Sequence, residues 1–445
     1  MKKVFFIFSI VLCAFAAQAQ RNGEIEIIDI DPVTGDSVYH APSSVVVLYD
    51  TRPIFPRRNP AMPVGNPPTD LFLRMERQFQ DPRAPRFILI NRKGTAALGI
   101  GGYVKGSMSV DFRGMADSKD FITYTIPTPN NPAQNGQFQM DASTSRLFLS
   151  LVGNNRIMGN YTVYLESNFR GGNGNYTLQL RQAFIDMRSV KAGLAWSTFT
   201  DVAACPPTID FQGPCGLVSA RNVMLQYHPS FGKHWSMAVA VEAPSATMTT
   251  RSQQSEYITQ RMPDIPLYLQ YGWDETNSHV RVSGILRGLS YRNLLTEKNK
   301  MKLGWGVQLS GVVNISHRLT IYGDAVYGNG IEEYINDLSG YGFDLVPAAS
   351  AGSLTAPAVW GATGGVQVNI SPRMFASVSY SQCRMYDGEL NAQTYRYAQY
   401  VVGNLFYNIT KDCQIGIEYL YGRRVDRNDS RGHANRLKAA IQYSF

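Results

Sequence analysis

The sequence predicts an all-β fold, a transmembrane antiparallel β-barrel of about sixteen strands. Two observations carry this prediction. Beyond Gly94 the chain is a series of segments, each about ten to fourteen residues long, in which apolar residues alternate with polar or small ones. The chain also opens with a secretory signal, which directs it out of the cytoplasm.

Composition excludes the main alternatives to a barrel. Mean hydropathy is −0.19. After residue 19 no uninterrupted apolar stretch approaches the roughly 20 residues that a membrane helix needs, so a helical membrane protein is excluded. Charged residues make up 17% of the chain, against about 25% in ordinary soluble proteins. The formal net charge of +8 falls to +6 when Lys2 and Lys3 leave with the signal, which is too small an excess to indicate nucleic-acid binding.

The first 94 residues are predicted to form two segments that precede the barrel. Lys2 and Lys3 are followed by an apolar core at residues 4–15 and by a small-x-small cleavage site at residues 17–19. Residues 1–19 are therefore assigned to a signal peptide cleaved after Ala19. Residues 20–94 contain many prolines, which interrupt helices and central strands, and are predicted to be a periplasmic or lumenal extension.

Residues 95–445 are predicted to form the barrel, and the last segment shows the pattern most clearly. Residues 445, 443, 441, 439 and 437 are Phe, Tyr, Ile, Ala and Leu, whereas 444, 442, 440, 438 and 436 are Ser, Gln, Ala, Lys and Arg. Because side chains alternate between the two faces of a strand, one face of this segment suits lipid and the other suits water. The terminal Phe445, with Tyr443 on the same face, is predicted to be the signal that the barrel-assembly machinery reads.

Seven short turn signals divide this region into eight pairs of strands, and hence into sixteen strands. They lie at residues 153–156, 188–189, 229–233, 274–277, 316–317, 371–373 and 410–412. Longer and more polar connections lie between them. Short periplasmic turns and long external loops are typical of bacterial transmembrane barrels, and sixteen strands leave a water-filled lumen.

The same alternation predicts which charged side chains line the lumen. Leu147 on the lipid side places Arg146 in the lumen, for example. Eleven basic residues are predicted to point inward, namely Lys105, Arg146, Arg170, Arg181, Lys191, Arg281, Arg287, Arg396, Arg424, Arg436 and Lys438. Four acidic residues, Asp111, Glu166, Asp324 and Glu418, are predicted to accompany them. A basic excess in a low-dielectric wall attracts anions, so we expect an anion-selective lumen.

Several short motifs lie in the first half of the predicted barrel. They are residues 101–105 (GGYVK), 145–146 (SR), 164–172 (YLESNFRGG), 178–184 (LQLRQAF), 192–199 (AGLAWSTF), 206–214 (PPTIDFQGP), Arg221 and 226–227 (QY). In order and spacing they resemble the DcaP-like trimeric porin family. The close resemblance covers about residues 100 to 230. It implies a trimeric, sixteen-stranded barrel with an inward-folded third extracellular loop, in which Arg221 joins the pore residues and small anions such as dicarboxylates pass.

The chain departs from that family at the third loop and at the N-terminal stretch. The Pro-rich stretch does not look like the helical extension associated with the family, and Cys205 and Cys215 flank the loop motif. Because the periplasm and the cell surface are oxidising, these two cysteines are predicted to form a disulfide that orders the loop. Cys383 and Cys413 are a poorer pair, because they are predicted to lie near opposite ends of the barrel.

The sequence therefore predicts a channel through which small anionic solutes diffuse across the outer membrane of a Gram-negative bacterium. No Ser-His-acid set suits catalysis, and no paired Cys-x-x-Cys spacing suggests a metal site, so we expect no enzyme activity, cofactor or metal. The expected partners are small anionic solutes, outer-membrane lipid and lipopolysaccharide, the barrel-assembly machinery and further copies in a homotrimer, but no nucleic acid. The competing interpretation is a closed barrel that acts as a surface adhesin or a structural interaction protein.

Overall fold

The computed structural model describes residues 46–48, 71–72, 77–91, 95–117, 119–172, 176–273, 278–386, 390 and 393–445. The predicted signal peptide, most of the predicted extension and the predicted turn at residues 274–277 lie outside these ranges. Among the described residues, no helix is both long and apolar enough to cross a membrane.

Within these ranges, sixteen antiparallel strands form one closed barrel, which confirms the predicted fold class. The strands are β1 (Ala96–Arg113), β2 (Arg146–Asn155), β3 (Gly159–Gly171), β4 (Thr177–Met187), β5 (Val190–Trp196), β6 (Arg221–Tyr227), β7 (Trp235–Glu242), β8 (Ile265–Trp273), β9 (Ser278–Asn293), β10 (Lys298–Ser316), β11 (Leu319–Asn329), β12 (Ala358–Ser371), β13 (Met374–Met385), β14 (Tyr395–Asn408), β15 (Cys413–Asp426) and β16 (Arg431–Ser444). Each strand pairs with the next along the chain, and β16 pairs with β1. Gly102 and Phe445 complete the closure with two backbone hydrogen bonds of 3.0 Å each.

The barrel is apolar on its outer face and polar on its inner face. On β1, Val104 and Met108 are exposed, whereas Lys105, Ser109 and Asp111 are buried. Large apolar side chains outside and charged side chains inside reverse the arrangement of a soluble protein. This arrangement is the one that lipid outside and a polar lumen require.

The connections are short at one end of the barrel and long at the other. Most described short turns fall where the sequence predicts them, for example at residues 188–189 and 372–373, but the turn after β2 lies at residues 156–158 and not at 153–156. The long connections include the first loop (114–145), the third loop (197–220), the fourth loop (243–264) and the sixth loop (330–357).

Short elements lie outside the main barrel strands. Strands Val46–Leu48 and Phe87–Ile90 pair with each other, and the second of them also pairs with β1 at residues 97–100. Further strands are Gln137–Asp141, Ser230–Phe231, Ser255–Tyr257, Val346–Pro347 and Leu354–Thr355, and 3-10 turns lie at Thr123–Thr125, Pro132–Gln134, Val202–Ala204 and Glu332–Tyr334. The segment of residues 77–91 thus precedes β1 at the short-turn end.

The first, third and sixth loops pack together inside the long-loop end of the barrel. Their buried apolar residues include Phe121, Phe199, Val218, Ile335 and Leu338, which join inward residues of β11 to β16 in one cluster. We call it the loop cluster.

The third loop reaches the wall of the barrel opposite its own strands. A Cβ at Gly361 of β12 would lie 2.3 Å from the Gly216 carbonyl oxygen, so only glycine allows this close approach. Since the loop begins at β5 and ends at β6, a contact with β12 means that it crosses the lumen.

Candidate functional site

Four arginines surround the third loop where it crosses the lumen. The guanidinium carbons of Arg146 on β2, Arg170 on β3 and Arg181 on β4 lie 5.8, 4.5 and 4.9 Å from the centre of the Phe211 ring. That of Arg221 on β6 lies 4.5 Å from the centre of the Trp196 ring. An aromatic face orients a guanidinium group without neutralising its charge. We call these four residues the arginine cluster.

A β-bulge brings Arg181 into the cluster. Ser167 pairs with Leu180 and Glu166 pairs with Gln182, so Arg181 is the extra residue of β4. Arg181 and Gln182 therefore both turn inward. Their side chains donate hydrogen bonds of 3.0 and 3.2 Å to the carboxylate of Glu166.

Three carboxylates partly neutralise the arginine cluster. Glu166 lies between Arg146 and Arg181, at 3.2 and 3.0 Å. Arg146 also contacts Asp81 at 2.7 Å, and Arg170 donates to Asp120 at 2.9 Å. Four cations and three anions leave one net positive charge.

The arginine cluster also holds hydrogen-bond donors that no described residue accepts. Nε and Nη2 of Arg146 and Nη1 of Arg221 are buried without a hydrogen-bond partner among the described residues. Buried donors normally have partners, so an oxygen acceptor that reached this point would complete the hydrogen bonding of these groups.

Two cavities adjoin the arginine cluster. The outer cavity, about 260 Å³, is lined by Arg181, Arg221 and Phe211 and by residues of the first and sixth loops. The inner cavity, about 720 Å³, is lined by Lys191, Arg281 and residues of the short turns. Trp196, Thr200 and Val202 line both cavities, so the two meet where the third loop leaves β5.

Comparison with known proteins identifies the family. The profile of the porin subfamily matches residues 96–444, which is most of the chain. The chain belongs to the porin subfamily. It is therefore a channel protein of the outer membrane of a Gram-negative bacterium, and the short-turn end is the periplasmic end. No curated protein matches the chain.

Solved porins share the fold of this porin. The outer-membrane channel DcaP of Acinetobacter baumannii has 20% sequence identity and a TM-score of 0.69, with 80% of this chain and 99% of that chain covered. An anion-selective porin from Comamonas acidovorans has 10% identity and a TM-score of 0.52, with 79% and 100% covered. The resemblance to DcaP-like porins is thus confirmed at the level of the fold.

Two acidic members of the site in this porin were not predicted from the sequence. Asp120 belongs to the first loop, and Asp81 belongs to the segment before the barrel. Neighbouring Gln80 donates from its side chain to Thr208 Oγ1 of the third loop at 3.0 Å, and its carbonyl oxygen accepts a hydrogen bond from Tyr103 at 3.1 Å. The segment therefore enters the lumen from the periplasmic end and contacts the third loop.

Several inward residues hold the third loop of the porin in place. The carboxylate of Glu418 accepts hydrogen bonds from the backbone N–H groups of Ile209 and Asp210, at 2.6 and 2.8 Å. Lys438 Nζ lies 3.1 Å from Asp210, and Lys105 Nζ donates to the Ile209 carbonyl oxygen at 2.8 Å. Burial alone would raise the pKa of Asp210, but the charges of Lys438 and Arg436 outweigh burial and hold this pKa below its usual value.

The other inward residues form ion pairs or hydrogen bonds along the wall. Four basic residues form ion pairs: Arg436 with Asp111, Arg287 with Asp264 and Asp344, Arg424 with Asp426, and Lys191 with Asp186. Arg281 lies 3.9 Å from Asp201. The side chain of Gln308 donates a hydrogen bond to Asp324. Most of these charges are therefore paired within the wall, whereas Arg181 and Arg221 of the arginine cluster line the outer cavity.

Arg396 does not line the lumen, contrary to the prediction. A register shift between Tyr395 and Tyr397 interrupts the alternation of β14. Tyr395 is fully buried, and Arg396 pairs with Asp429 at 2.8 Å with more than a third of its side chain exposed. The bulge therefore moves Arg396 to the outer rim.

The structure contradicts the predicted disulfide between Cys205 and Cys215. All four described cysteines are free thiols. Cys215 Sγ lies 3.6 Å from Ser381 Oγ on β13, whereas Cys205 Sγ lies 3.6 Å from the Pro206 carbonyl oxygen. Burial raises the pKa of the Cys205 thiol to about 12, so it is an unreactive thiol at neutral pH.

Proposed function

We propose that this porin is a diffusion channel that prefers small anionic solutes such as dicarboxylates. The observation that carries the proposal is the arginine cluster, which combines a net positive charge with buried donors that have no partner among the described residues. A carboxylate accepts two parallel hydrogen bonds from one guanidinium group, which suits this donor geometry.

The position of the arginine cluster supports the proposal. It lies where the third loop narrows the lumen, and a charge beside a low-dielectric wall acts on a passing ion more strongly than it would in open water. Lys191 and Arg281 line the inner cavity on the periplasmic side. An anion would therefore meet basic side chains on both sides of Trp196. The name of the Comamonas acidovorans porin, which shares the fold, agrees with this selectivity.

We infer that the porin assembles as a homotrimer. β5, β6 and β7 contain 7, 7 and 8 residues. A tilted strand of 7 residues rises about 18 Å, less than the apolar band of about 25 Å that surrounds such a barrel. The barrel wall is therefore shorter at β5 to β7 than elsewhere. The apolar side chains exposed on the outside of this short part of the wall include Val223, Leu225 and Val241, and neighbouring copies would cover them.

Solute flux into liposomes tests the proposed selectivity. Wild-type protein should pass a four-carbon dicarboxylate faster than a diamine of the same length. The variant Arg181→Gln with Arg221→Gln should lose most of this preference, whereas Arg318→Gln with Arg373→Gln, two exposed side chains at periplasmic turns, should keep it. Faster entry of the diamine into liposomes carrying wild-type protein would contradict the proposal.

One observation favours a closed barrel that acts by surface contacts instead. The loop cluster joins three loops across the outer end of the lumen. If folded wild-type protein passes no small solute of any charge, the closed-barrel function replaces the channel.

A further inference from the structure

A second group of basic residues lies outside the lumen, on the outer face of β1, β15 and β16. It consists of Arg113, Arg423, Arg431 and His433, and we call it the outer basic patch. We propose that the outer basic patch binds the phosphate groups of a lipid in the outer leaflet, namely lipopolysaccharide. The occupant is inferred from the charge, orientation and height of the patch.

The side chains of β15 and β16 place the patch on the outer face. Arg423 and His433 are directly opposite each other in the antiparallel ladder, so their side chains share one face. Arg431, two residues from His433 on β16, points to the same side and is exposed. Tyr419 and Tyr421 precede Arg423 on the same face of β15 and point toward the lipid. The residues of the opposite face are buried in the barrel.

A bulge on β1 adds Arg113 to the patch. Arg436 pairs with Asp111, but the preceding residue of β16, Asn435, pairs with Arg113, so Phe112 is the extra residue. Asp111 is buried in the lumen, while Phe112 and Arg113 are both exposed. The guanidinium group of Arg113 is in hydrogen-bond contact with the ring of His433.

The height of the patch matches the headgroup level of the outer leaflet. Tyr443 marks the periplasmic end of the lipid-facing surface of β16, and His433 lies ten residues further along the strand. Ten residues of a tilted strand rise about 25 Å, which equals the apolar band of an outer-membrane barrel. The patch therefore stands just above the acyl chains, and the Tyr421 ring lies beside it, 6.5 Å from the His433 ring between centroids.

In the described part of the chain, the arginines of the patch differ from the lumenal arginines in having no acidic partner. Among the described residues, no carboxylate forms a salt bridge with Arg113, Arg423 or Arg431. The nearby Asp426 and Asp429 pair with Arg424 and Arg396 instead. No carboxylate of the described residues therefore neutralises these three guanidinium groups, which can bind an anion.

Phosphate is the anion that suits this position. A guanidinium group binds phosphate with two parallel hydrogen bonds, and its charge is retained at every physiological pH. An anion held directly above an apolar and aromatic surface is best supplied by a molecule whose acyl chains cover that surface. This condition selects a phosphorylated lipid over a free phosphate ion.

Lipid binding to the purified, delipidated porin tests the proposal. The probes are lipopolysaccharide, the same lipopolysaccharide after enzymatic dephosphorylation, and inorganic phosphate, each titrated at equal concentrations. The triple variant Arg113→Gln, Arg423→Gln and Arg431→Gln should weaken binding of intact lipopolysaccharide about a hundredfold, because each basic side chain near a charged surface contributes about fivefold. The control Lys233→Gln, Arg318→Gln and Arg373→Gln removes the same charge from exposed positions at periplasmic turns and should bind like wild type.

Further results separate the possible occupants. Dephosphorylated lipopolysaccharide should bind wild type as weakly as intact lipopolysaccharide binds the triple variant, and inorganic phosphate alone should not bind. Equal affinity of the two triple variants would overturn the proposal. Tight binding of inorganic phosphate would assign the patch to a soluble anion, and a changed oligomeric state with unchanged lipid binding would assign it to a contact between copies. If the triple variant fails to fold, Arg423→Gln alone should weaken binding about fivefold, and an unchanged affinity would overturn the proposal equally.

Discussion

Asp81 determines the charge of the arginine cluster although it belongs to no barrel strand. Its carboxylate lies 2.7 Å from Arg146 and removes one of the two positive charges that the cluster would otherwise carry in excess. Both groups are almost fully buried, so solvent does not weaken their interaction as it would at the surface. We therefore expect the segment before the barrel to contribute a residue that controls selectivity.

The substitution Asp81→Asn tests this role. A unit charge about 8 Å from a passing ion changes its energy by about 1 kcal/mol at an effective dielectric constant of about 40. Anion permeability should therefore rise roughly fivefold and cation permeability fall roughly fivefold, so the anion-to-cation permeability ratio should rise roughly 25-fold. Bi-ionic potentials across planar bilayers measure the ratio. Asp429→Asn makes the same charge change at the outer rim and should leave the ratio unchanged, and equal ratios in the two variants would show that Asp81 does not act on the pore.

At the scale of single residues, the strand pattern predicts the positions of most lumenal basic side chains. It does not predict the acidic partners that come from loops and from the segment before the barrel. Alternation places Arg146 on the inner face because β2 is regular around it. Bulges are invisible to alternation, so Arg396 was assigned to the wrong position. Alternation from Leu178 and Leu180 places Arg181 inward correctly, but it does not predict that the bulge turns Gln182 inward as well. Asp81 and Asp120 follow no periodic pattern, because they come from segments whose positions depend on tertiary contacts.

At the scale of elements, one carboxylate anchors the third loop. Glu418 accepts the backbone N–H groups of Ile209 and Asp210 and also a hydrogen bond of 3.2 Å from Asn404. The loop has little regular structure of its own, so these bonds and the ion pair between Asp210 and Lys438 hold it across the lumen.

The substitution Glu418→Gln should loosen the third loop without unfolding the barrel. The amide places an N–H group against a backbone donor, and leaving a buried donor unsatisfied costs about 1 to 3 kcal/mol. The population of displaced loop should rise roughly tenfold or more, which appears as larger current noise in the open channel. Glu256→Gln, which alters an exposed ion pair with Arg292, is the matched control. Unchanged noise in Glu418→Gln would mean that the loop is held by other contacts.

The strands could be predicted from the sequence, whereas the path of the third loop could not be derived from its residues. A strand between lipid and water must alternate apolar and polar side chains, and each segment of the sequence shows this alternation. A loop that crosses a lumen is positioned by long-range contacts, such as that of Gly216 with Gly361, which leave no local pattern. The resemblance to the family supplied this expectation, and the predicted disulfide was wrong because Cys215 instead packs against β13.

At the scale of the whole molecule, the barrel depends on the closure between its first and last strands. Phe445 exchanges two backbone hydrogen bonds with Gly102, and Tyr443 is exposed to lipid beside Val104. The predicted assembly signal therefore lies at the point where the barrel closes.

Deletion of Phe445 should hinder insertion. It removes both hydrogen bonds and the terminal aromatic side chain, which serves as an interfacial anchor. Heat-modifiable gel migration and outer-membrane fractionation measure the folded fraction, which should fall several-fold. Phe445→Tyr retains the aromatic ring and the backbone and should insert normally. Normal insertion of the truncated chain would show that residue 445 is not part of the signal.

The reversal potential of the wild-type porin in a potassium chloride gradient tests the central claim most directly. If the arginine cluster sets the selectivity, as we propose, chloride should carry most of the membrane current. We expect the reversal potential to lie toward the chloride equilibrium potential. At high salt the preference for chloride should disappear, because salt screens the fixed charges. A reversal potential toward the potassium equilibrium potential would contradict the account.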